Sequence, residues 1–534
     1  MCFVLILDFE FCYLNLIKMV PKNLGELLYL SAQKHPHRTA IVFGQKKINY
    51  KTLNVLTDRI AAGLIDLGIK KQDRVALFLD NCPEFVISYF AVLKAGALVV
   101  PINYMFKIEE AKFILEDSQA ICLITSRVYV DMAEELRLRV DSLKHIITTT
   151  KAKDDTIDFN KIKKDNLEIT NRVSVDLNDL AVILYTSGTT GHPKGAMLTH
   201  NNLISNAQDS AEAIRATHRD TCICILPLFH SFAATVCMNL PLAIGAKIVI
   251  MKSVRPFRRV IRSIRKHRVS IFVGVPSIYN ILKDMKLPRI FRSPLIKLFN
   301  PLRLCISGAA ALPVETFKGF EKKFRIPLLE GYGLTEASPV VTLNPLKGIR
   351  KAGSIGIALS KNIELKIVDD KDIPLGTQQI GELLVKGPNV MQSYYKQEEA
   401  TTSTLKDGWL YTGDMAKFDG DGYLYIVGRK KEMVNVRGLN VYPREIEEVL
   451  YQNSKIKEAA VIGIPDIHRG EVPIGFVVLK DGESATEHEI LQYLRERLAS
   501  FKVPKYIEFR QFLPKNTTGK ILKRILQDEK KKEQ

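Results

Sequence analysis

Between Leu184 and His200 the chain reads LYTSGTTGHPKGAMLTH. Hydroxyls at Thr186, Ser187, Thr189 and Thr190 stand among Gly188, Gly191 and Gly195, with Lys194 in the same stretch. This run suits phosphate. Glycine lets backbone approach phosphate oxygens closely, amides and hydroxyls donate to them, and a lysine adds charge. It is not a P-loop, because no G-x-x-x-x-G-K-[ST] string can be placed on it. A plain Gly/Ser/Thr surface loop has no need of so many hydroxyls beside a cation.

Further strings follow in order: Ser307–Ala310 (SGAA), Glu330–Pro339 (EGYGLTEASP), Tyr411–Asp414 (YTGD), Gly428–Arg429 and Pro514–Lys520 (PKNTTGK). Singly, SGAA or YTGD is an ordinary turn. Together and in this order they resemble the motifs of the adenylate-forming enzymes, a group of acyl-CoA synthetases, peptide-synthetase adenylation domains and firefly-type luciferases. The resemblance covers about residues 20–525 and is nearest to the long-chain fatty acid–CoA ligases. It implies that ATP, Mg2+ and CoA are used. It also implies a role for each matched residue. Gly308, Ala309 and Ala310 form the adenine-side loop, and Glu330 and Gly331 belong to the nucleotide site. Tyr332 stacks on adenine, Thr335 meets the phosphates, and Glu336 binds the metal. Asp414 holds the ribose hydroxyls, Arg429 lies near ribose or α-phosphate, and Lys520 contacts the acid carboxylate and phosphate. Physical chemistry agrees: a planar aromatic suits a base, a carboxylate suits a hard cation, and an ionised Asp is acceptor-only. No nucleophilic side chain is required. The substrate carboxylate attacks phosphorus, so positioning and charge neutralisation suffice.

The same resemblance assigns Val434–Pro443 (VNVRGLNVYP) to the thiol-access segment, with Arg437 and Gly438 lining it. It places a hinge in Gly428-Arg429-Lys430-Lys431-Glu432, where Glu432 stands in place of the family's usual Asp. Leu226–Thr235 (LPLFHSFAAT) resembles the acyl-pocket segment, with His230 closing the pocket near the carboxylate or serving as a satisfied half-buried histidine. Ala233, Ala234, Val236, Ala309 and Ala337 suit an open apolar tunnel, with Gly274–Ser277 on a neighbouring wall. Around Thr235 there is no Asp to meet a substrate amine, so a fatty acid is expected and an aryl acid is the alternative.

The elements that position these residues follow from pattern. Short Val/Ile/Leu runs such as RVALFLD, ALVVPI, ICLIT, AKIVIM and SIFVGVP alternate with helical stretches, the mark of an α/β architecture with buried, mostly parallel strands. After about residue 350, IELKIVD, GELLVKG and DGYLYIVGRK read as strands of a small β-subdomain. The final hundred or so residues read as a compact α+β unit. The expected organisation is a large α/β domain over 19–427, a hinge at 428–432 and a small mobile domain over 433–534, with 1–18 an extension or a misassigned start.

Bulk properties set limits. The 534 residues carry a net charge of +19, which attracts anions generally: nucleotides, CoA, anionic lipid or an acidic acyl carrier protein. No nucleic-acid-binding signature accompanies the charge. Arg255, Arg258, Arg259, Arg262, Arg265, Lys266 and Arg268 interleave with Val260, Ile261 and Ile264. That pattern fits either a solvated helix face or one resting on a membrane or acidic partner. Eight cysteines form no zinc-ligand spacing, and Cys222-x-Cys224 reads as strand packing. Thinly scattered cysteines suit a reducing cytoplasm, with peripheral attachment to the inner membrane surface as the other expectation. The lack of a G-x-S-x-G elbow and of a G-x-G-x-x-G fingerprint counts against a hydrolase triad and a dinucleotide oxidoreductase. The readings carried forward are a fatty acid–CoA ligase, an acyl–acyl-carrier-protein synthetase, an aryl-acid ligase, a luciferase-type oxygenase and a non-catalytic binder on the same fold.

Overall fold

A computed structural model of the chain describes residues 21–149, 156–163, 173–186, 193–285, 301–517 and 519–533. The expected extension at 1–18 lies outside these residues.

The β-branched runs form two large sheets. One has eight strands, with Arg74–Phe78, Leu98–Pro101, Cys122–Thr125 and His145–Thr148 in parallel at its centre. Leu180–Thr186 joins that parallel set beside Leu98–Pro101, and Lys194–Thr199 then returns antiparallel to it. The second sheet has nine strands. Its parallel core runs through Lys247–Ile250, Thr221–Cys224, Ile271–Gly274, Leu304–Ser307 and Leu328–Gly333. Five of these strands are buried along their whole length, which is why they read as continuous apolar runs rather than alternating ones. Cys222 and Cys224 both pack into the core from Thr221–Cys224.

Glu364–Val368, Gly381–Lys386, Trp409–Phe418 and Leu424–Arg429 make the antiparallel β-subdomain. Beyond it, Ile456–Asp466 and Gly470–Leu479 form a long hairpin covered by helices Pro443–Gln452, Glu487–Arg495 and Lys523–Glu533. Helix Pro443–Gln452 starts with proline, whose missing N–H costs nothing there, and buries Ile446 and Leu450 one turn apart. Two hydrophobic clusters draw only on residues between Val434 and Leu526. The small C-terminal unit therefore has cores of its own. Among the described residues no helix is long and apolar enough to cross a membrane.

Candidate active site

The segment expected to bind phosphate is flanked by two paired strands, Leu180–Thr186 and Lys194–Thr199. Thr186 ends one strand and pairs in register with Lys194, the first residue of the next. Ser187, Gly188, Thr189 and Thr190, expected to cradle phosphate, lie outside the described residues. Strand Lys194–Thr199 runs into helix His200–Ala213 through a capping box. Thr199 Oγ1 accepts from Asn202 N at 3.2 Å, and Asn202 Oδ1 accepts from Thr199 N at 2.8 Å. The same Asn202 donates from Nδ2 to the carbonyls of Pro388 and Val390, each at 2.8 Å. That segment in turn braces Glu336: Met391 N donates to Glu336 O at 2.8 Å, and Asn389 Nδ2 to Ala337 O at 2.9 Å.

Thr186, Lys194, Thr335, Glu336 and Tyr394 share one wall of a cavity of about 800 Å³. Lys194 Nζ stands 5.0 Å from the Tyr394 ring centre. Tyr394 Oη donates to Glu336 Oε1 at 2.8 Å, and the hydroxyls of Thr335 and Ser231 are 3.3 Å apart. Magnesium fits this set. The described residues contain no cluster of three or more candidate His, Cys, Asp or Glu ligands, and this cation commonly takes one or two carboxylates plus substrate phosphates.

A second cavity, of about 780 Å³, lies between the large and small units and shares Ala309, Gly331, Tyr332, Arg429 and Lys520 with the first. On its wall Tyr332 Oη donates to Asp414 Oδ2 at 2.5 Å, and Arg429 Nε donates to Asp414 Oδ1 at 3.1 Å. Asp414 keeps acceptor capacity for ribose hydroxyls, since each carboxylate oxygen carries two lone pairs. Burial, followed by the Asp414 charge, pushes the Tyr332 phenol well above its ordinary range; Asp414 also raises the Arg429 guanidinium. Glu330 is buried. Its Oε1 accepts from Leu312 N at 2.9 Å, its Oε2 has no hydrogen-bond partner among the described residues, and burial raises the carboxyl to about 7. Gly308 is close-packed: a Cβ there would meet Phe232 Cζ at 2.7 Å. Ala309 adopts φ +68, a left-handed conformation that is strained for alanine and common at ligand-binding turns.

Lys520 borders both cavities. A tight loop holds it: Asn516 N donates to Lys520 O, and Lys520 N donates to Asn516 Oδ1, both at 2.9 Å. Neighbouring Gly519 has φ +81, and a Cβ there would stand 3.0 Å from Ser277 Oγ of the large unit. Burial first and the nearby Arg429 cation second lower the Lys520 ammonium to about 8, against the pull of Asp414 and Glu432. His230 lines the first cavity. Burial, then Lys520, lowers its imidazole to about 4, so it is neutral at physiological pH. Its Nδ1 accepts from Phe232 N at 3.3 Å, which leaves the ring proton on Nε2. Past His230 the cavity continues between helix His200–Ala213, the π-helical turn Ala234–Asn239 and strand Val340–Leu343. Its lining there is Ser210, Ile214, Val236, Leu240, Val340 and Leu343.

Comparison with known proteins accounts for this arrangement. Residues 28–395 match the model of the AMP-binding enzyme family, and residues 445–520 match that of the AMP-binding enzyme C-terminal domain. The chain belongs to the AMP-binding enzyme family. It is 37% identical over 541 residues to a long-chain-fatty-acid–CoA ligase of Bacillus subtilis, covering 95% of this chain and 94% of that protein. Among solved structures it superposes on the anthranilate CoA ligase AuaEII in complex with anthranoyl-AMP. The TM-score is 0.87 at 28% identity, over 96% of this chain and 98% of that one. ATP-bound MatB from Rhodopseudomonas palustris gives a TM-score of 0.86 at 31% identity, over 96% and 99%. The chain is thus an AMP-forming acid–thiol ligase of the acyl-CoA synthetase type.

Within this family member the expected residues divide into two groups. Thr186, Lys194, His230, Gly308, Ala309, Gly331, Tyr332, Thr335, Glu336, Arg429 and Lys520 line the first cavity; Ala310, Glu330, Asp414 and Glu432 line the second. Arg437 and Gly438 line neither. They form the exposed turn between Val434–Val436 and Leu439–Val441, with φ +53 and +84. Glu432 ends a short 3₁₀ turn and pairs with Lys523 at 3.3 Å, while Lys523 also reaches Glu447 at 2.7 Å. Burial would raise the Glu432 carboxyl, but Lys523, Arg429 and Lys520 outweigh it and hold it low. Two tunnel expectations are corrected. Ala233, Ala234 and Ala337 are buried in packing away from the cavity lining, because their side of the chain faces the core. Pro276 and Ser277 face the second cavity, on the nucleotide side, because the chain there leaves strand Ile271–Gly274 toward the Gly519 loop. Sequence reasoning missed Tyr394, Asn202, Asn389 and Lys523. Tyr394 had no signal in the sequence: it reaches the site through antiparallel pairing with Ala196, far away in the chain.

Proposed function

We propose that the enzyme activates a long-chain fatty acid with ATP and magnesium, then transfers the acyl group to the thiol of CoA. The observation carrying this reading is the junction where Lys520, Arg429 and neutral His230 meet. An apolar branch opens on one side of it and the Tyr332–Asp414 nucleotide wall on the other. The acid's hydrocarbon chain runs into the branch past Val236 and Leu240. The acidic residues of that cavity, Glu336 and Glu382, lie toward the nucleotide side, so nothing acidic in the branch is suited to a substrate amine. Glu336 would hold magnesium, which would neutralise phosphate charge.

In the first step a carboxylate oxygen of the acid attacks the α-phosphorus, the P–O bond to pyrophosphate breaks, and acyl-AMP forms. Lys520 and Arg429 offset the negative charge shared by carboxylate and α-phosphate, and fixed donors of this kind need no reorganisation as charge develops. His230 offers Nε2–H at the neck without adding a charge. Thr186, Ser187, Gly188, Thr189, Thr190 and Lys194 hold the departing phosphates. In the second step the small unit, residues 433–534, turns about the 428–432 segment at Glu432. Lys520 withdraws, and the Arg437–Gly438 turn comes to the cavity mouth. The thiol adds to the acyl carbon and AMP leaves. An aryl acid is the second reading, favoured by the likeness to an anthranilate ligase; the apolar lining of Val236, Leu240, Val340 and Leu343 and the likeness to a long-chain-fatty-acid–CoA ligase support the fatty acid.

The test is pyrophosphate release across acids from acetate to palmitate, benzoates and amino acids, with and without CoA. Release that needs a long-chain acid, with acyl-CoA formed only when CoA is present, is expected. Release with benzoates alone refutes the fatty-acid reading. Acyl-AMP without acyl-CoA refutes CoA as acceptor and directs attention to an acyl carrier protein.

A further inference from the structure

Helix Phe257–His267 stands apart from the other surface helices. From residue 252 to 269 the sequence has no acidic residue. Helices Ile108–Ser118, Val130–Arg139, Val314–Phe324 and Lys523–Glu533 all mix both signs of charge. Arg255, Arg258, Arg259, Arg262, Arg265 and Lys266 are all exposed, whereas Val260 is buried and Phe257, Ile261 and Ile264 are half-buried. At roughly 100° per residue Arg258, Arg259, Arg262, Arg265 and Lys266 fall within an arc of about 120°, opposite Val260 and Ile264, and Arg255 precedes the helix. The result is a single cationic strip about 12 Å long from Arg258 to Lys266, at about 1.5 Å per residue.

Helix formation by itself disfavours this strip. Arg258 and Arg259 occupy the first turn, where the helix field disfavours cations. Arg262 lies three or four residues from Arg258, Arg259, Arg265 and Lys266, and each such like-charge neighbour weakens a helix. The strip is a standing cost that an anionic surface would relieve. Its length exceeds what the phosphates of one small molecule cover, and its single exposed face suits a flat partner.

We propose that this helix docks the enzyme on an anionic bilayer, lying parallel to the surface with its arginines among the lipid phosphates. The attachment is peripheral and electrostatic. The half-buried Phe257 and Ile264 stay packed on the core, so they are not offered to the acyl chains. Val254, Arg255 and Phe257 also line the second cavity, which puts its rim beside the docked face.

The test is co-sedimentation of the full chain with phosphatidylcholine vesicles, with and without phosphatidylglycerol, at low and high salt. Binding should require phosphatidylglycerol and disappear at high salt, because surface charges are screened within about 10 Å at 0.1 M. Arg258→Gln/Arg259→Gln/Arg262→Gln should bind on the order of 100-fold more weakly, at about fivefold per lost cation, with its soluble-substrate turnover unchanged. The lipid and salt dependence of the unaltered chain tests the proposal even where the triple variant does not fold. No binding to anionic vesicles at low salt overturns it, as does equal binding by a folded triple variant. A raised KM for CoA with unchanged vesicle binding would assign the strip to the thiol substrate. Capture of an acidic carrier protein but not of vesicles would assign it to a protein partner; either result overturns membrane docking.

Discussion

Replacing Lys520 by alanine separates the two half-reactions. In the free enzyme the ammonium sits at about 8 instead of 10.5, chiefly through burial and the Arg429 charge. That difference corresponds to about 3 kcal/mol of disfavour for the cation, an upper bound for a side chain still touching solvent. Lys520→Ala therefore leaves the fold no less stable, and the thermal midpoint should hold or rise. Catalysis moves the opposite way. The ammonium faces oxygens on which charge develops, and loss of one fixed donor of this kind costs about 10²–10³-fold. Adenylation, followed as acid-dependent ATP–pyrophosphate exchange, should fall by that factor or more. Thioester formation from supplied acyl-AMP should stay within a few-fold, since the proposed second step withdraws Lys520. The sign of the pH dependence follows. The cation is the working form, so kcat/KM for adenylation should decline as pH rises through about 8, and the variant should lack that alkaline limb. Equal loss in both half-reactions would refute the division of labour, as would an unchanged alkaline limb in the variant.

Glu330 gives a stability prediction. Its folded carboxyl is raised to about 7 from an ordinary 4.5, so its contribution is fully present below about 4.5 and is lost as pH rises through 7. Glu330→Gln should raise stability at pH 8 by up to about 3 kcal/mol and change it little at pH 4, measured by denaturant unfolding. Ser210 lines the apolar branch, and Ser210→Phe should shorten it. At about fourfold per displaced methylene, excluding three carbons lowers kcat/KM for palmitate about 60-fold while sparing octanoate. Tyr394→Phe removes the donor that fixes Glu336. The KM for MgATP should rise about tenfold or more, the value of one hydrogen bond to a charged group, with the acid KM unchanged.

Much of this protein was legible in its sequence where the physics is local. Helix Pro443–Gln452 was readable from its opening proline and apolar spacing, and the buried parallel strands from continuous Val/Ile/Leu runs. The motif residues Tyr332, Thr335, Glu336 and Lys520 meet in one cavity although almost 190 positions separate the first from the last. What escaped depends on distant pairing. The bridge of Ser393 and Tyr394 to Met197 and Ala196 brings a tyrosine onto Glu336, and no local pattern announces it. Asn202 looks like a capping residue and is one, but its amide also ties down residues 388–390. The hairpin around Arg437–Gly438 is too short to show strand periodicity. The tunnel prediction went astray at Ala233, Ala234 and Ala337 because small size indicates close packing as readily as an open channel. Ser210 and Ile214, which do line the branch, read as an ordinary helix face until the fold sets them against the π-helical turn.

The central claim is that the acid's own carboxylate becomes bonded to the α-phosphorus. The most direct measurement uses palmitate labelled with oxygen-18 in its carboxyl group, turned over with ATP, magnesium and CoA, with the AMP analysed by mass spectrometry. The account predicts one labelled oxygen in the AMP phosphate and none in pyrophosphate. Unlabelled AMP, or label in a product other than AMP and acyl-CoA, would contradict it.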